Sequence, residues 1–236
     1  MSQFKTIFRL GLSFFGALVL SSCYFDKEGG SSSSSQVSFS SDVLSVFNSN
    51  CTSGCHSGGT PSGSLSLSSA DSSITGVYSS LNTGSYFNTS NVAQSKLLTQ
   101  AADSDSGDPH SAGEILATTS SGYKTLESWI SEGAFNDDCT STPSVSLSTD
   151  LASIFSGNCL GSGCHQSGGV NPQLDANVYT NIQSAQAIDT SSPRSSSLLR
   201  KSLGQDSHGG STIFADENVA NWRSIYCWIK QGGSDN

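Results

Sequence analysis

Two short clusters of cysteine and histidine are the residues whose types and spacing could do chemistry in this chain. They read Cys51-x-x-x-Cys55-His56 and Cys159-x-x-x-x-Cys164-His165. Two thiols with an adjacent histidine are what covalent attachment of haem needs, because each thiol adds across a haem vinyl group and the histidine reaches the iron. The usual motif has two residues between its cysteines, so both clusters are expanded versions of it.

Two further histidines, His110 and His208, supply one spare imidazole to each half of the chain. The sixth ligand of such a haem is commonly methionine or histidine, and the only methionine is Met1, which leaves with the N-terminal signal. The sequence therefore predicts His110 opposite His56 and His208 opposite His165, with exposed loop histidines as the alternative. Iron ligated on both faces favours electron transfer over catalysis, at potentials below those of a His/Met site.

Zinc and disulfides are the competing explanations of the same residues. Each half holds two cysteines and two histidines, which is the inventory of a structural zinc site. Adjacent residues rarely both reach one tetrahedral ion, so the Cys55-His56 and Cys164-His165 neighbours disfavour zinc. Structural disulfides within each cluster are the remaining alternative, since the chain is predicted to be exported.

The clusters belong to a duplicated unit with a period of about 100 residues. Residues 37–51 align with 145–159, 95–98 with 196–199, and 126–133 with 225–232. This period is too long for a solenoid repeat and suits a small domain. We expect two tandem domains, 37–136 and 139–236, with a short polar linker around 136–144.

Helices are expected on either side of each cluster. Before it, Ser40 or Ser41 and Thr149 are predicted to cap a short amphipathic helix. At the end of each unit, an apolar stripe predicts a helix that stops near a glycine, Gly133 or Gly232. The stripes are Leu126, Trp129 and Ile130 in the first copy and Trp222, Ile225, Tyr226 and Ile229 in the second. No strand pattern is strong, and 57–86 is expected to form a loop.

The N-terminus has the features of a bacterial lipoprotein signal. A basic start and a short apolar run precede Leu20-Ser-Ser-Cys23, so residues 1–22 are expected to be removed and Cys23 to carry the lipid. Residues 23–36 are then a flexible Ser/Gly tether. The residue after Cys23 is Tyr24, not the aspartate that retains some lipoproteins at the inner membrane, which favours the outer membrane. We expect a periplasmic or cell-surface location.

The charge balance restricts the partners. Loss of residues 1–22 leaves eight basic against 19 acidic residues, a formal net charge of −11. Nucleic acid is disfavoured as a partner on that balance, and a basic redox partner is attracted.

Two cysteines remain outside the clusters, Cys139 in the linker and Cys227 in the last helix. In an exported protein they are expected to form a disulfide that ties the linker to that helix.

Taken together, these motifs resemble planctomycete-type cytochrome c domains, over about 37–136 and 145–236. The resemblance rests on the Cys-Cys-His cluster, a Ser-x-Leu-Leu segment, a distal ligand followed by glycine, and a Trp-Ile-x-x-Gly helix end. It implies a mainly α fold with long loops around covalently bound haem. It also implies attachment at Cys51, Cys55, Cys159 and Cys164, with His56 and His165 as proximal ligands. Many such domains have a Met-Pro distal segment, which His110 and His208 replace here.

The leading hypothesis is an exported, lipid-anchored cytochrome with two covalently bound haem c groups, an electron carrier rather than an enzyme. Its partner would be a redox protein or an extracellular electron acceptor. The alternatives are a dihaem peroxidase-like enzyme, which needs one labile distal ligand, and a haem-free surface lipoprotein stapled by disulfides or zinc.

Overall fold

Helices joined by long loops make up the described part of the chain, which in this computed structural model comprises residues 36–105, 107–140 and 144–236. No strand occurs among these residues, so the predicted mainly α class is confirmed. The α-helices are α1 (Leu44–Asn50), α2 (Ile74–Thr83), α3 (Lys96–Ala101), α4 (Ser121–Ser131), α5 (Ala152–Asn158), α6 (Val178–Ser184), α7 (Ser197–Ser202) and α8 (Ala220–Lys230). The predicted signal, Cys23 and nearly all of the tether lie outside the described residues. None of the described helices has both the length and the apolar character needed to cross a membrane.

A π-helical turn precedes the first helix of each repeat, Phe39–Val43 before α1 and Leu147–Leu151 before α5. The Ser38 and Ser146 hydroxyls cap these turns by accepting hydrogen bonds from the backbone three residues later. The predicted caps at Ser40 or Ser41 and at Thr149 were therefore wrong. The added turn moves the helix start towards the N-terminus.

The closing helices α4 and α8 confirm the predicted apolar stripes. Trp129 is buried on α4, and Trp222 and Trp228 are buried on α8. Gly133 and Gly232 follow with φ of +97° and +110°, a left-handed conformation that glycine adopts without steric cost.

The loop predicted over 57–86 is only partly correct, because α2 lies within it. Ser73 caps this helix through the Gly76 N–H, and Val77, Tyr78 and Leu81 are buried along it. The apolar residues are too few and too closely flanked by serine and threonine to give a clear helical period.

Two hydrophobic clusters form the core. One contains buried residues from Phe39 to Ala134, and the other those from Phe135 to Ile229. The Phe135 ring packs edge-on against Trp222 and Tyr226, with ring centres 5.2 and 4.9 Å apart. The end of the first repeat therefore lies in the core of the second.

The segment after Phe135 is buried despite its polar composition. Asp137 and Asp138 are 7% and 1% exposed. Asp137 accepts hydrogen bonds from the Ser38 hydroxyl at 2.6 Å and the Ser40 N–H at 2.8 Å. These bonds replace the water that a carboxylate loses on burial. The first part of the predicted linker is thus a packed joint, which we define as residues 135–139.

Candidate functional site

Each cysteine–histidine cluster closes into a loop at the end of a helix. Cys51 and Cys159 are the C-caps of α1 and α5. The His56 N–H donates to the Cys51 carbonyl at 3.0 Å, and the His165 N–H donates to the Cys159 carbonyl at 3.1 Å. The first cysteine and the histidine are therefore held in the same relation in both clusters, although the loops differ in length.

A tight turn accommodates the extra residue of the second cluster. The Cys164 N–H donates to the Gly161 carbonyl at 2.8 Å. In both loops a glycine in the left-handed region precedes the second cysteine, Gly54 with φ +72° and Gly163 with φ +78°. A side chain at either position would be strained, so the expanded spacing depends on these glycines.

The histidines of the clusters are oriented by backbone carbonyls. His56 Nδ1 lies 3.0 Å from the Leu65 carbonyl, and His165 Nδ1 lies 2.8 Å from the Pro172 carbonyl. Because a carbonyl only accepts, Nδ1 donates its proton in each bond, and Nε2 of the neutral ring keeps its lone pair. This arrangement is typical of histidines that bind a metal ion through Nε2.

The spare histidines are held in the same way. His110 Nδ1 lies 3.2 Å from the Gly113 carbonyl, and His208 Nδ1 lies 2.9 Å from the Ser211 carbonyl. The chain that follows each of these histidines is held by two consecutive backbone N–H groups that donate to one carbonyl. Ile115 and Leu116 both donate to the Ala101 carbonyl. In the second repeat, Ile213 and Phe214 donate to Ser202 in the same way.

The structure brings the histidines together in the predicted pairs. The ring centres of His56 and His110 are 6.2 Å apart, and those of His165 and His208 are 6.0 Å apart. The ring planes are inclined by 26° and 14°. Imidazole nitrogens bind metals at about 2.0–2.1 Å, so two rings on opposite faces of one ion have centres roughly 6.3 Å apart. Both pairs have the separation expected of two histidines that would bind one metal ion from opposite sides.

A pocket of about 640 Å³ lies at the second pair. Its lining includes all four residues that the sequence singled out in that repeat, Cys159, Cys164, His165 and His208. Much of the rest is apolar: Val170, Pro172, Leu174, Ala187, Leu198 and Ile213. This volume is within the range of cofactor sites, about 300–1,000 Å³.

The four cluster cysteines are free thiols in the structure. Burial raises the pKa of Cys51 and of Cys159 to about 11, and the second cysteine of each cluster adds to the rise. Within the described residues, no three His, Cys, Asp or Glu side chains converge as a metal site. The structure thus has no disulfide within either cluster.

Two carboxylates that sequence reasoning missed hold the chain just after His56 and just after His165. Asp71 accepts the Gly58 N–H at 2.7 Å, and Asp175 accepts the Ser167 N–H at 2.6 Å. The bond from Ser167 lowers the pKa of Asp175. They follow their donors by 13 and 8 residues, so alignment of the repeats by spacing does not mark them.

Cys139 and Cys227, the pair expected to be joined, form a disulfide with Cα atoms 5.4 Å apart. It lies in the joint and not among the residues of either histidine pair. Cys23 lies outside the described residues.

Comparison of the chain with protein-family models, with curated proteins and with solved structures gave no match. The resemblance to cytochrome c domains therefore remains a prediction from the motifs.

Proposed function

We propose that the chain is an exported, lipid-anchored c-type cytochrome that carries two covalently bound haems, each ligated by two histidines, and transfers electrons. The observation that carries this proposal is the repeated histidine geometry. In both repeats a Cys-Cys-His loop faces a second histidine, both rings donate Nδ1–H to carbonyls, and their centres lie 6.0–6.2 Å apart. The export and the lipid anchor rest on the N-terminal sequence pattern.

Each residue of the site has a defined role. Cys51, Cys55, Cys159 and Cys164 would hold haem through thioether bonds, each made by adding a thiol S–H across a vinyl group without an oxidant. His56, His110, His165 and His208 would bind the iron through Nε2. When bound, haem supplies a one-electron ferric–ferrous couple.

The polypeptide's part in electron transfer is to hold the ligands in place and exclude other reactions. Carbonyl bonds to Nδ1 keep each imidazole in a single orientation, so little rearrangement accompanies a change of charge. Two histidines bound to each iron would leave no place for oxygen or peroxide. The electron comes from a one-electron donor protein and passes to a second redox protein or an extracellular acceptor. An acidic chain favours basic partners.

Covalent haem content tests the proposal directly. The full-length chain is expressed in a bacterium with a c-type maturation system, and haem is counted as the pyridine haemochrome after denaturation. We expect two haems in the wild type and one in either double variant, Cys51→Ser/Cys55→Ser or Cys159→Ser/Cys164→Ser. The matched control, Cys139→Ser/Cys227→Ser, should keep two. A wild-type chain without covalent haem would overturn the proposal.

Axial ligation is tested with carbon monoxide, which binds ferrous haem only where a position is open. The reduced wild type should give no spectral change, whereas His110→Ala and His208→Ala should each open one site. Binding by the wild type would contradict the bis-histidine assignment and favour the peroxidase-like alternative.

A further inference from the structure

In the described part of the chain, the pocket of the second repeat is lined by one lysine side chain and by no acidic side chain. Among the described residues that line it, Lys201 is the one lysine or arginine, and none is acidic. The whole sequence has 19 acidic and 10 basic residues, so a wall with a cation and no carboxylate departs from the average surface. A pocket lined in this way suits a ligand that is largely apolar and carries a negative group at one edge.

Helix α7 places this cation. Its residues Ser197, Leu198, Lys201 and Ser202 line the pocket, so one face of the helix forms part of the wall. The neighbouring Arg200 is paired with Asp206. Lys201 takes part in no ion pair within the described residues and is exposed. Its ammonium group is therefore free for a ligand.

The first repeat differs at this position. The alignment of Ser95–Leu98 with Ser196–Leu199 places Gln100 where the second repeat has Lys201. The Gln100 amide donates to the Asp108 carbonyl. The one cation of α3, Lys96, pairs with the Asp108 carboxylate at 2.9 Å. The first repeat thus has no equivalent free cation on this helix.

We propose that Lys201 binds a carboxylate of the ligand in the pocket of the second repeat, a contact that the first repeat lacks. This inference rests on the proposed function, under which the carboxylate is a haem propionate. A cation beside the propionate offsets negative charge near the iron and favours the ferrous state. The second site therefore has the higher potential, and electrons pass from the first repeat to the second.

A spectroscopically monitored redox titration of the loaded full-length chain tests this order. We expect two waves. Lys201→Gln, which installs the residue of the first repeat, should lower the upper wave alone. Lys201→Arg, which keeps the charge, should leave it in place, and Gln100→Lys should raise the lower wave. If Lys201→Gln leaves both waves unchanged, or moves only the lower wave, the proposal is wrong.

A binding measurement on full-length chain produced without haem separates this proposal from the proposed function. The probes are protoporphyrin IX, which has two carboxylates, and its uncharged dimethyl ester, with tryptophan fluorescence as the readout. Lys201→Gln should weaken protoporphyrin binding about two- to fivefold, the range of an exposed ion pair, and leave ester binding unchanged. Equal losses for both probes, or no loss, would overturn the role of Lys201 even if covalent haem is found. Absence of covalent haem, with this selective loss intact, would count against the proposed function alone.

Discussion

The last helices of the two repeats, α4 and α8, have the same place in the duplicated unit but different surroundings. In both helices, a tryptophan indole N–H donates a hydrogen bond to a backbone carbonyl of the segment that follows the helix. Trp129 Nε1 donates to the Phe135 carbonyl at 3.0 Å, and Trp228 Nε1 donates to the Ser234 carbonyl at 2.9 Å. The frame of the repeat is therefore retained in both copies.

One face of each helix has diverged from the equivalent face of the other. On α8, this face carries Arg223, Tyr226, Cys227 and Lys230, all of which contact the joint. Their spacing, i, i+3, i+4 and i+7, is that of one helix face. The equivalent residues of α4 are Lys124, Glu127, Ser128 and Ser131, where Lys124 and Glu127 form a surface ion pair.

This contrast shows which parts of the unit were free to change after duplication. The histidine pairs, their carbonyl partners and the glycines before the second cysteines are alike in both repeats. The substitutions that join the repeats lie on one face of α8 and involve no residue of either histidine pair. The joint can therefore be altered without touching either histidine pair, and the predictions below use this separation.

Removal of the Cys139–Cys227 disulfide should have the largest effect on the free energy of unfolding. The disulfide closes a separation of 88 residues, and its removal lets the unfolded chain sample many more conformations. Cys139→Ser/Cys227→Ser, which gives α8 the serine that α4 has at Ser128, should lower the free energy of unfolding by about 2–5 kcal/mol. Urea denaturation measures this. Ser128→Ala is the control and should change it by less than about 0.5 kcal/mol. Equal effects would mean that the disulfide does not stabilise the joint.

The Arg223→Ala substitution should have the second largest effect on the free energy of unfolding. The Arg223 guanidinium donates to the Asn136 and Asp138 carbonyls at 3.2 and 2.9 Å, and Arg223→Ala leaves both without that donor. We expect a loss of about 2 kcal/mol, from the same denaturation curves. Lys124→Ala, at the equivalent place on α4, removes an exposed ion pair with Glu127 and a cation–π contact with Tyr123, and should cost less than about 1 kcal/mol. A larger cost for Lys124→Ala would contradict the assigned difference between the helices.

Much of this comparison could be predicted from the sequence, because alignment of the repeats exposes what they share. The histidine pairing followed from counting one spare histidine per repeat, and the α4 and α8 stripes followed from their periodicity. The joint could not be predicted in the same way. Asp137 and Asp138 are polar residues in a polar stretch, and their burial depends on donors distant in sequence, such as Ser38 and Arg223.

The local geometry of the clusters could not be predicted from the sequence either. Carbonyl acceptors such as Leu65 and Pro172 are selected by chain path and not by side chain, so no residue type marks them. Helix α2 was missed because Val77, Tyr78 and Leu81 form too short a stripe. The pattern before the clusters located a helix but not the π-helical turn that moves its start.

The glycines before the second cysteines test whether the two clusters use one turn. Gly54→Ala and Gly163→Ala each place a side chain in the left-handed region, at a cost of about 1 kcal/mol. Neither would meet another atom within 4 Å, so backbone strain is the expected cause. The control is Gly59→Ala, which also has open space but no positive φ. Thermal unfolding measures all three, and a cost at only one cluster would show that the expanded loops are built differently.

The smallest expected effect concerns acid stability and Asp175. Its pKa lies below the ordinary value of 3.8, because its carboxylate accepts a hydrogen bond from the Ser167 N–H. A lowered folded-state pKa stabilises the fold above about 3.8, and this contribution is lost as the pH falls further. Asp175→Asn removes the titrating group, so the melting temperatures of variant and wild type should converge between pH 6 and pH 3. Glu114→Gln, which changes an exposed carboxylate, should run parallel to the wild type. If the Asp175→Asn curve also runs parallel, the carboxylate does not hold the segment after His165 in the way that the structure indicates.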